Sequence, residues 1–554
     1  TEGNIIVNTT DKGTVRLILN NASISNTTTA PIKVLDAKKV ILTLADNTTN
    51  TITDSSRLST EEDYSAVIYS KEDLIINGNG TLNVNAGYRN GIKSTDDCII
   101  VSGTLNITST EDGIIGKDLC GIVAGDININ AGSDGIKSTY DTDTTKGNVI
   151  IEGGNITIKA SNDGIQAENI LVINDGTINI KTNNGAADTT QTHTDNMDMD
   201  RGGFGFNNNK TTTTTDDTVE SRKGIKAGNM LIINDGDITI DSDDDSVHCN
   251  SEIYIYGGTI NAATGDDGVH ADDLLTVNGG TINITQCYEG IEADDIVIND
   301  GDISVVSSDD GINSSDGSIT INGGNLLINA SGDGLDANGS IIINGGYIVV
   351  LGPTSDGDTA IDYDDSCTIN GGTVMAFGSS GMLEIPKGAS NGACIVTAFT
   401  SVSGGSKYTL SDSNGNEILS YTPSKAYAAA IVYSDKITTG NTYNITAGST
   451  TLSIEVTSDV TSNVSSGLGK AGGMNMPGNG GSGMPNNGSS DNGMNGNSNG
   501  SMPDMSGNGA PDMNGNSSGD MPSMGGNSSN NGGNMPNMNN GSSNGSAPQM
   551  NNRM

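Results

Sequence analysis

The sequence predicts an all-β protein whose body is a right-handed parallel β-helix of about 22-residue coils, followed by a small C-terminal β unit and a disordered tail. Three observations predict it. An acidic-Gly-β-branched motif recurs at Gly91, Gly113, Gly135, Gly164, Gly224, Gly268, Gly290, Gly311 and Gly334, with Ser246 in the slot between Gly224 and Gly268. Successive gaps, Ser246 included, are 22, 22, 29, 60, 22, 22, 22, 21 and 23 residues. A second marker, Asn-Gly or Asn-Asp-Gly, keeps the same beat at Asn278, Asn299, Asn322 and Asn344. Between the markers lie short alternating runs such as Ile282 with Ile284 and Ile319 with Ile321, the pattern of half-buried strands.

Such strands between glycine turns would also suit an antiparallel sandwich, but the fixed period decides against it. One period holds three short strands and three turns, each coil stacking on the last at about 4.8 Å. Inward Ile, Val and Leu then form ladders. The slot glycine is expected to mark a corner that needs a positive φ. Less regular coils are expected at Val15–Leu19, Ile32–Val34 and Val40–Leu44, for about 16 coils and a rod of roughly 75 Å.

By composition the chain divides into 1–390 (the β-helix), 391–460 (the small β unit) and 461–554, a Gly/Asn/Ser/Met/Pro tail too poor in apolar residues to offset its ordering entropy. The 29-residue gap holds a short loop around Tyr140–Lys146, and the 60-residue gap an insert at about 184–222, long enough to be a functional flap or disordered. The tail carries 13 of the 18 methionines; a spacer or attachment role is the simpler reading, with soft Cu(I) ligation the other.

Acidic residues outnumber basic ones 67 to 25, a formal charge of −42. That disfavours nucleic acid and anionic lipid and favours cations, or partners bridged by them. No apolar run reaches the length of a membrane span. Thr1 in place of Met, without a signal peptide, suggests a processed or trimmed start.

A solenoid turns period into geometry. One place after the glycine is apolar throughout and should point inward; two places after should point outward. That outward column reads Lys93, Ile115, Lys137, Gln166, Lys226, His248, His270, Glu292, Asn313, Asp336. Lys93, Lys137, Lys226, His248 and His270 are the candidate contacts to a linear polyanion, against the simpler reading of lysines solubilising an exposed strand. The residue before the glycine is acidic at 112, 134, 163, 267, 289, 310 and 333, with Lys223 the exception. Asp267, Asp272, Asp273, Glu289, Glu292, Asp294 and Asp295 fall on two adjacent coils and are the candidate ligands of Ca2+, a cation that takes oxygen. Alternatively these acids simply cap turns. Cys98 and Cys120 share a slot in neighbouring coils, as a disulfide or as two apolar ladder residues, and the remaining cysteines lack zinc-ligand spacing.

Catalysis has weak support. Carboxylates are too many for any pair to stand out as a glycosidase pair. In a calcium-assisted lyase Lys137 or Lys226 would be the base, but nothing local distinguishes them. A flat aromatic platform is disfavoured by the absence of Trp, Tyr140 and Tyr288 being the nearest useful rings.

The segment SRKGIKAGNMLIINDGDITIDSDDDSVH (Ser221–His248), centred on Lys223-Gly224-Ile225-Lys226-Ala227, resembles the secreted clostridial carbohydrate-binding β-helix proteins, which are related in shape to pectate lyases. The resemblance runs over about 3–460 and includes SDSNGNEILSYTPSKAYAAAIVYSDKITTGNTYNI. It implies a secreted, cell-surface, calcium-binding β-helix that holds acidic plant cell-wall polysaccharide such as polygalacturonate, or cellulose, without established catalysis. Ser246 departs from the slot glycine, and the chain is expected to start inside the first coils of such proteins. A pectate-lyase-like enzyme and a self-associating structural or adhesive fibre remain the alternatives.

Overall fold

The computed structural model describes residues 3–9, 13–55, 64–188 and 221–464. The chain falls into two units, Thr1–Met476 and Pro477–Met554. The tail beyond 464 and the part of the expected insert at 189–220 lie outside the described residues.

The first unit is a parallel β-solenoid, as the period predicts. Each coil gives one short strand to each of three sheets. The first sheet has 13 strands, from Ile5–Asn8 to Leu335–Ala337, and the second has 15, from Thr14–Leu19 to Gly388–Ala389. The third runs in parallel from Ser23–Asn26 to Thr373–Gly378. Equal offsets pair, as Ile92 with Ile114 and Ile114 with Ile136, with register shifts at Val7/Asn8 and Ala262/Ala263. Strands such as Asp126–Ala131 alternate exposed and buried positions, so every second side chain enters the core. Leu105, Ile127, Ile156, Ile178, Ile238, Ile260 and Ile282 stack there in one fully buried ladder. Burying each such side chain contributes about 1.5–3 kcal/mol. Cys98 and Cys120 are register partners, both buried free thiols within a core ladder.

The slot glycine is needed for a different reason from the one its recurrence suggests. Positive φ occurs at the other marker, as at Gly301 (φ 126°), whereas none of the slot glycines has it. At Gly113 a Cβ would stand 2.5 Å from the Gly135 carbonyl oxygen and 2.5 Å from Ile129 Cγ2. The slot is a close approach of backbone to the next coil, with an isoleucine packed over it.

Ser246 shows how that constraint is relaxed. The side chain facing the slot is Ile107, Ile129, Ile180, Ile240 or Ile284 for Gly91, Gly113, Gly164, Gly224 or Gly268. In the coil of Ser246 the equivalent residue is Ala262, register partner of both Ile240 and Ile284. The smaller neighbour leaves room for the serine, whose Oγ lies 3.2 Å from Ser242 Oγ.

Residues after 390 are not a free-standing unit. Tyr427–Ser434 lies antiparallel between Thr373–Gly378 and Ala393–Val402, and Val460–Ser462 pairs with the latter, so three strands continue the third sheet. Reversing direction there ends the parallel stack and covers its last edge. Tyr408–Asp412, Glu417–Tyr421, Thr442–Ala447 and Thr450–Glu455 form a small antiparallel sheet that packs over Val349, Leu351, Met375 and Phe377 of the last coils.

The size exchange is testable by a double-mutant cycle. Ala262→Ile alone should overpack the core and cost about 1–3 kcal/mol in urea unfolding. Ser246→Gly together with Ala262→Ile should recover most of that loss; strictly additive effects would refute the pairing.

Candidate functional site

Lys93, Ile115, Lys137, Gln166, Lys226, His248, His270, Glu292, Asn313 and Asp336 are successive register partners on the first sheet. The column is half-buried rather than freely solvated: Ile115 is 2% and His248 8% exposed. At Lys137, His248 and His270 the side chain lies against the acid three residues earlier. Asp134 Oδ2 accepts from Lys137 Nζ at 2.6 Å, Asp245 Oδ2 lies 2.8 Å from His248 Nδ1, and Asp267 Oδ2 lies 3.1 Å from His270 Nδ1.

The other oxygen of each acid is used by the backbone. Oδ1 of Asp112, Asp134, Asp163, Asp245, Asp267 and Asp310 accepts the N–H of Asp134, Asp163, Lys223, Asp267, Glu289 and Asp333 at 2.6–3.2 Å. The corner acids therefore cap turns and line the column at once.

The densest part is the coil that departs from the repeat. Lys223 occupies the acidic slot, and its Nζ donates to Asp244 Oδ1 at 2.8 Å and Asp245 Oδ2 at 2.6 Å. Arg222 Nη1 donates to fully buried Asp243 at 2.9 Å. His248 Nε2 lies 2.9 Å from Asn250 Oδ1, and the His248 and His270 rings meet edge to face with centroids 5.0 Å apart. Burial alone would raise the Asp245 carboxyl, but Lys223, with help from His248, holds it well below the usual carboxylate range.

Charge compensation ends a coil later. Burial and the neighbouring acids Glu289 and Asp267 push Glu292 up to about 9. Burial and Asp267 likewise push Glu289 up to about 7. Burial would lower His270, but its bond to Asp267 and the charges of Asp245 and Glu292 outweigh it and raise the ring to about 10. Further along, burial and mutual repulsion place Asp310 at about 9, and burial, partly offset by the N–H of Thr359, places Asp333 at about 8. The column thus runs from a stretch in which Asp134, Asp244 and Asp245 are paired with lysines to one in which acids face acids.

The candidate calcium ligands do not form one cluster. Asp267 and Glu292, with His270, bring ligand atoms within 4.8 Å of one another, and Glu289 is electrostatically coupled to them. Asp272 reaches this group only through His270 Nε2, at 3.6 Å. Asp273, Asp294 and Asp295 sit past the next corner and accept from Ser251 Oγ, Ser315 Oγ and the Ser318 N–H. The sequence reading missed Asp310, Asp333 and Asp336 as a cluster, also within 4.8 Å, whose donors are oxygen only. That set fits a hard cation such as Ca2+ better than one containing imidazole. Asp245, with His248 and His270, and the groups Asp244–Asp245–Asp266 and Asp73–Asp96–Asp97 were missed as well. The run DDDSVH was the available signal for the first.

The family of carbohydrate-binding domain-containing proteins matches residues 1–268 and 266–378. A carbohydrate-binding domain-containing protein of Acetivibrio thermocellus is 36% identical over 110 residues, 19% of this chain and 38% of that relative's length. A solved polysaccharide lyase-like protein from C. thermocellum, a gadolinium derivative, is 35% identical over 33% of this chain and 75% of its own, with a TM-score of 0.32.

Glu292, Asp310, Asp333 and His270 all hold their protons more tightly than in an unfolded chain. Their contribution to stability is complete below the unfolded values, is lost progressively as pH rises above them, and is gone once pH has passed about 8 to 10. With chelator present, the melting temperature should fall across that window. Glu292→Gln should flatten the fall, and a flat wild-type profile would contradict the assignment.

Proposed function

The chain belongs to the family of carbohydrate-binding domain-containing proteins, and on that premise we propose that its first-sheet face holds a linear acidic polysaccharide of the pectin or polygalacturonate class, with calcium assisting. The observation that carries this reading is the column itself. Lys93, Lys137 and Lys226 offer ammonium groups at every second coil, and His248 and His270 offer imidazoles on the next two, to the carboxylates of a polyuronate. The same line then reaches Glu292 and Asp336, where an anionic polymer needs a bridging cation and the raised acids gain from one. Asp267 with Glu292, and Asp310 with Asp333 and Asp336, would hold it. A plant cell-wall polysaccharide as ligand places the protein outside the cell, secreted or at the cell surface.

Binding is favoured over cleavage by the state of Lys137, one of the two lysines that could serve as a lyase's base. It is held protonated by Asp134, which outweighs the effect of burial. A protonated ammonium holds a carboxylate but does not abstract a proton.

Affinity electrophoresis in polygalacturonate gels tests the proposal. Calcium should retard the protein and chelator should release it. Lys137→Ala with Lys226→Ala should weaken retention about tenfold or more, as loss of charge-assisted contacts does. Retention unchanged by both substitutions would sink the track. Unsaturated products absorbing in the near ultraviolet would move the reading to a lyase.

A further inference from the structure

A cleft of about 360 Å³ lies where the third sheet of the last coils meets the small C-terminal sheet. It lies beyond the residues matched by the family, apart from its Tyr347, Thr373 and Met375 wall. It stands on the third sheet, whereas the column stands on the first.

One residue marks it out. Along the outward third-sheet column the register partners read Thr259, Thr281, Asp302, Asn325, Tyr347 and Thr373. A position that is small and polar in the neighbouring coils becomes a tyrosine only beside the cleft, and Tyr347 is 44% exposed. A large ring left in water next to a cavity is a stacking surface. Ile418 lines the cleft with it as apolar surface, over buried Met375. Glu417 and Asp435 supply carboxylate acceptors, Lys436 an ammonium donor, and Ser420 and Ser434 hydroxyls. Bonds from Ser420 Oγ at 2.6 Å and Lys407 Nζ at 3.0 Å hold Glu417 ionised and oriented.

We propose that this cleft binds a neutral hexopyranose, its C–H face stacked on Tyr347 and its hydroxyls bonded to Glu417 and Asp435. An apolar ring face with convergent acceptors at its rim matches a sugar, which is apolar on its faces and a hydrogen-bond donor around its edge. With Lys407 and Lys436 set against Glu417 and Asp435 the cleft carries no net positive charge to attract a uronate. The ligand therefore differs from the acidic polymer proposed for the first sheet, and either site can fail without the other.

Saturation-transfer NMR on the full chain, with methyl glycosides of glucose, galactose and mannose and with galacturonate, tests this. Transfer to the C–H protons of at least one neutral glycoside is expected, with weaker transfer to galacturonate. Tyr347→Ala should abolish it while leaving polygalacturonate retention unchanged. Tyr347→Asn, which installs the residue of the preceding coil, guards against misfolding and should abolish it equally. No transfer to any neutral glycoside, or transfer unaltered in both variants, would overturn the proposal.

Discussion

At most corners entering the first sheet, a short acidic side chain spends one oxygen on the backbone of the next coil, and at Asp134, Asp245 and Asp267 the other meets the outward column. The rest of the molecule's surface chemistry depends on this arrangement. A corner between stacked coils leaves an N–H that needs an acceptor, and Asp supplies it through Oδ1 while staying close to the corner, as between Asp134 and Asp163. The free oxygen then sits near the side chain three residues on, so the same residue that makes the coil stackable sets the charge of the column. Structural capping and a charged surface, which compete as explanations of an acid-rich repeat, are here one feature.

From this follows the asymmetry of the column. Where its outward residue is Lys137, His248 or His270, the corner acid lies against a basic side chain, and the pair is half-buried. Where it is Glu292 or Asp336, acid meets acid, and burial together with repulsion shifts proton affinities upward. Exposed like charges would be screened and spread apart, but stacked coils keep these at a fixed spacing. A cation taken up there would displace protons, and a polymer laid along the column would meet ammonium groups first and carboxylates afterwards.

The C-terminal end resolves a separate difficulty. A parallel stack has no natural last coil, and its final strands would expose unpaired edges. Tyr427–Ser434 enters against the stack direction, and the small antiparallel sheet covers Met375 and Phe377 on what would otherwise be the outward face. Capping the stack with a second sheet leaves a cleft at their junction, and this is where the outward third-sheet position changes from small polar residues to Tyr347.

Periodicity was enough to read the solenoid, because parallel stacking in register makes equal offsets neighbours. The order Lys93, Lys137, Lys226, His248, His270 could be read down the chain and is the order in space. Other features were not legible because they depend on distances between side chains of different coils. The slot glycine recurs for want of space beneath the next carbonyl rather than for its φ, and a recurrence in sequence does not distinguish the two. Ser246 and Ala262 read as two unrelated irregularities until packing sets one against the other. Asp273, Asp294 and Asp295 look adjacent to Glu292 in the chain, yet a corner carries them to another face, while Asp310, Asp333 and Asp336 converge from two coils. The sequence by itself determined which residues share a column, since a period of one coil is a register. Only the tertiary structure decided which of them touch, because corners redirect side chains and burial fixes their charge.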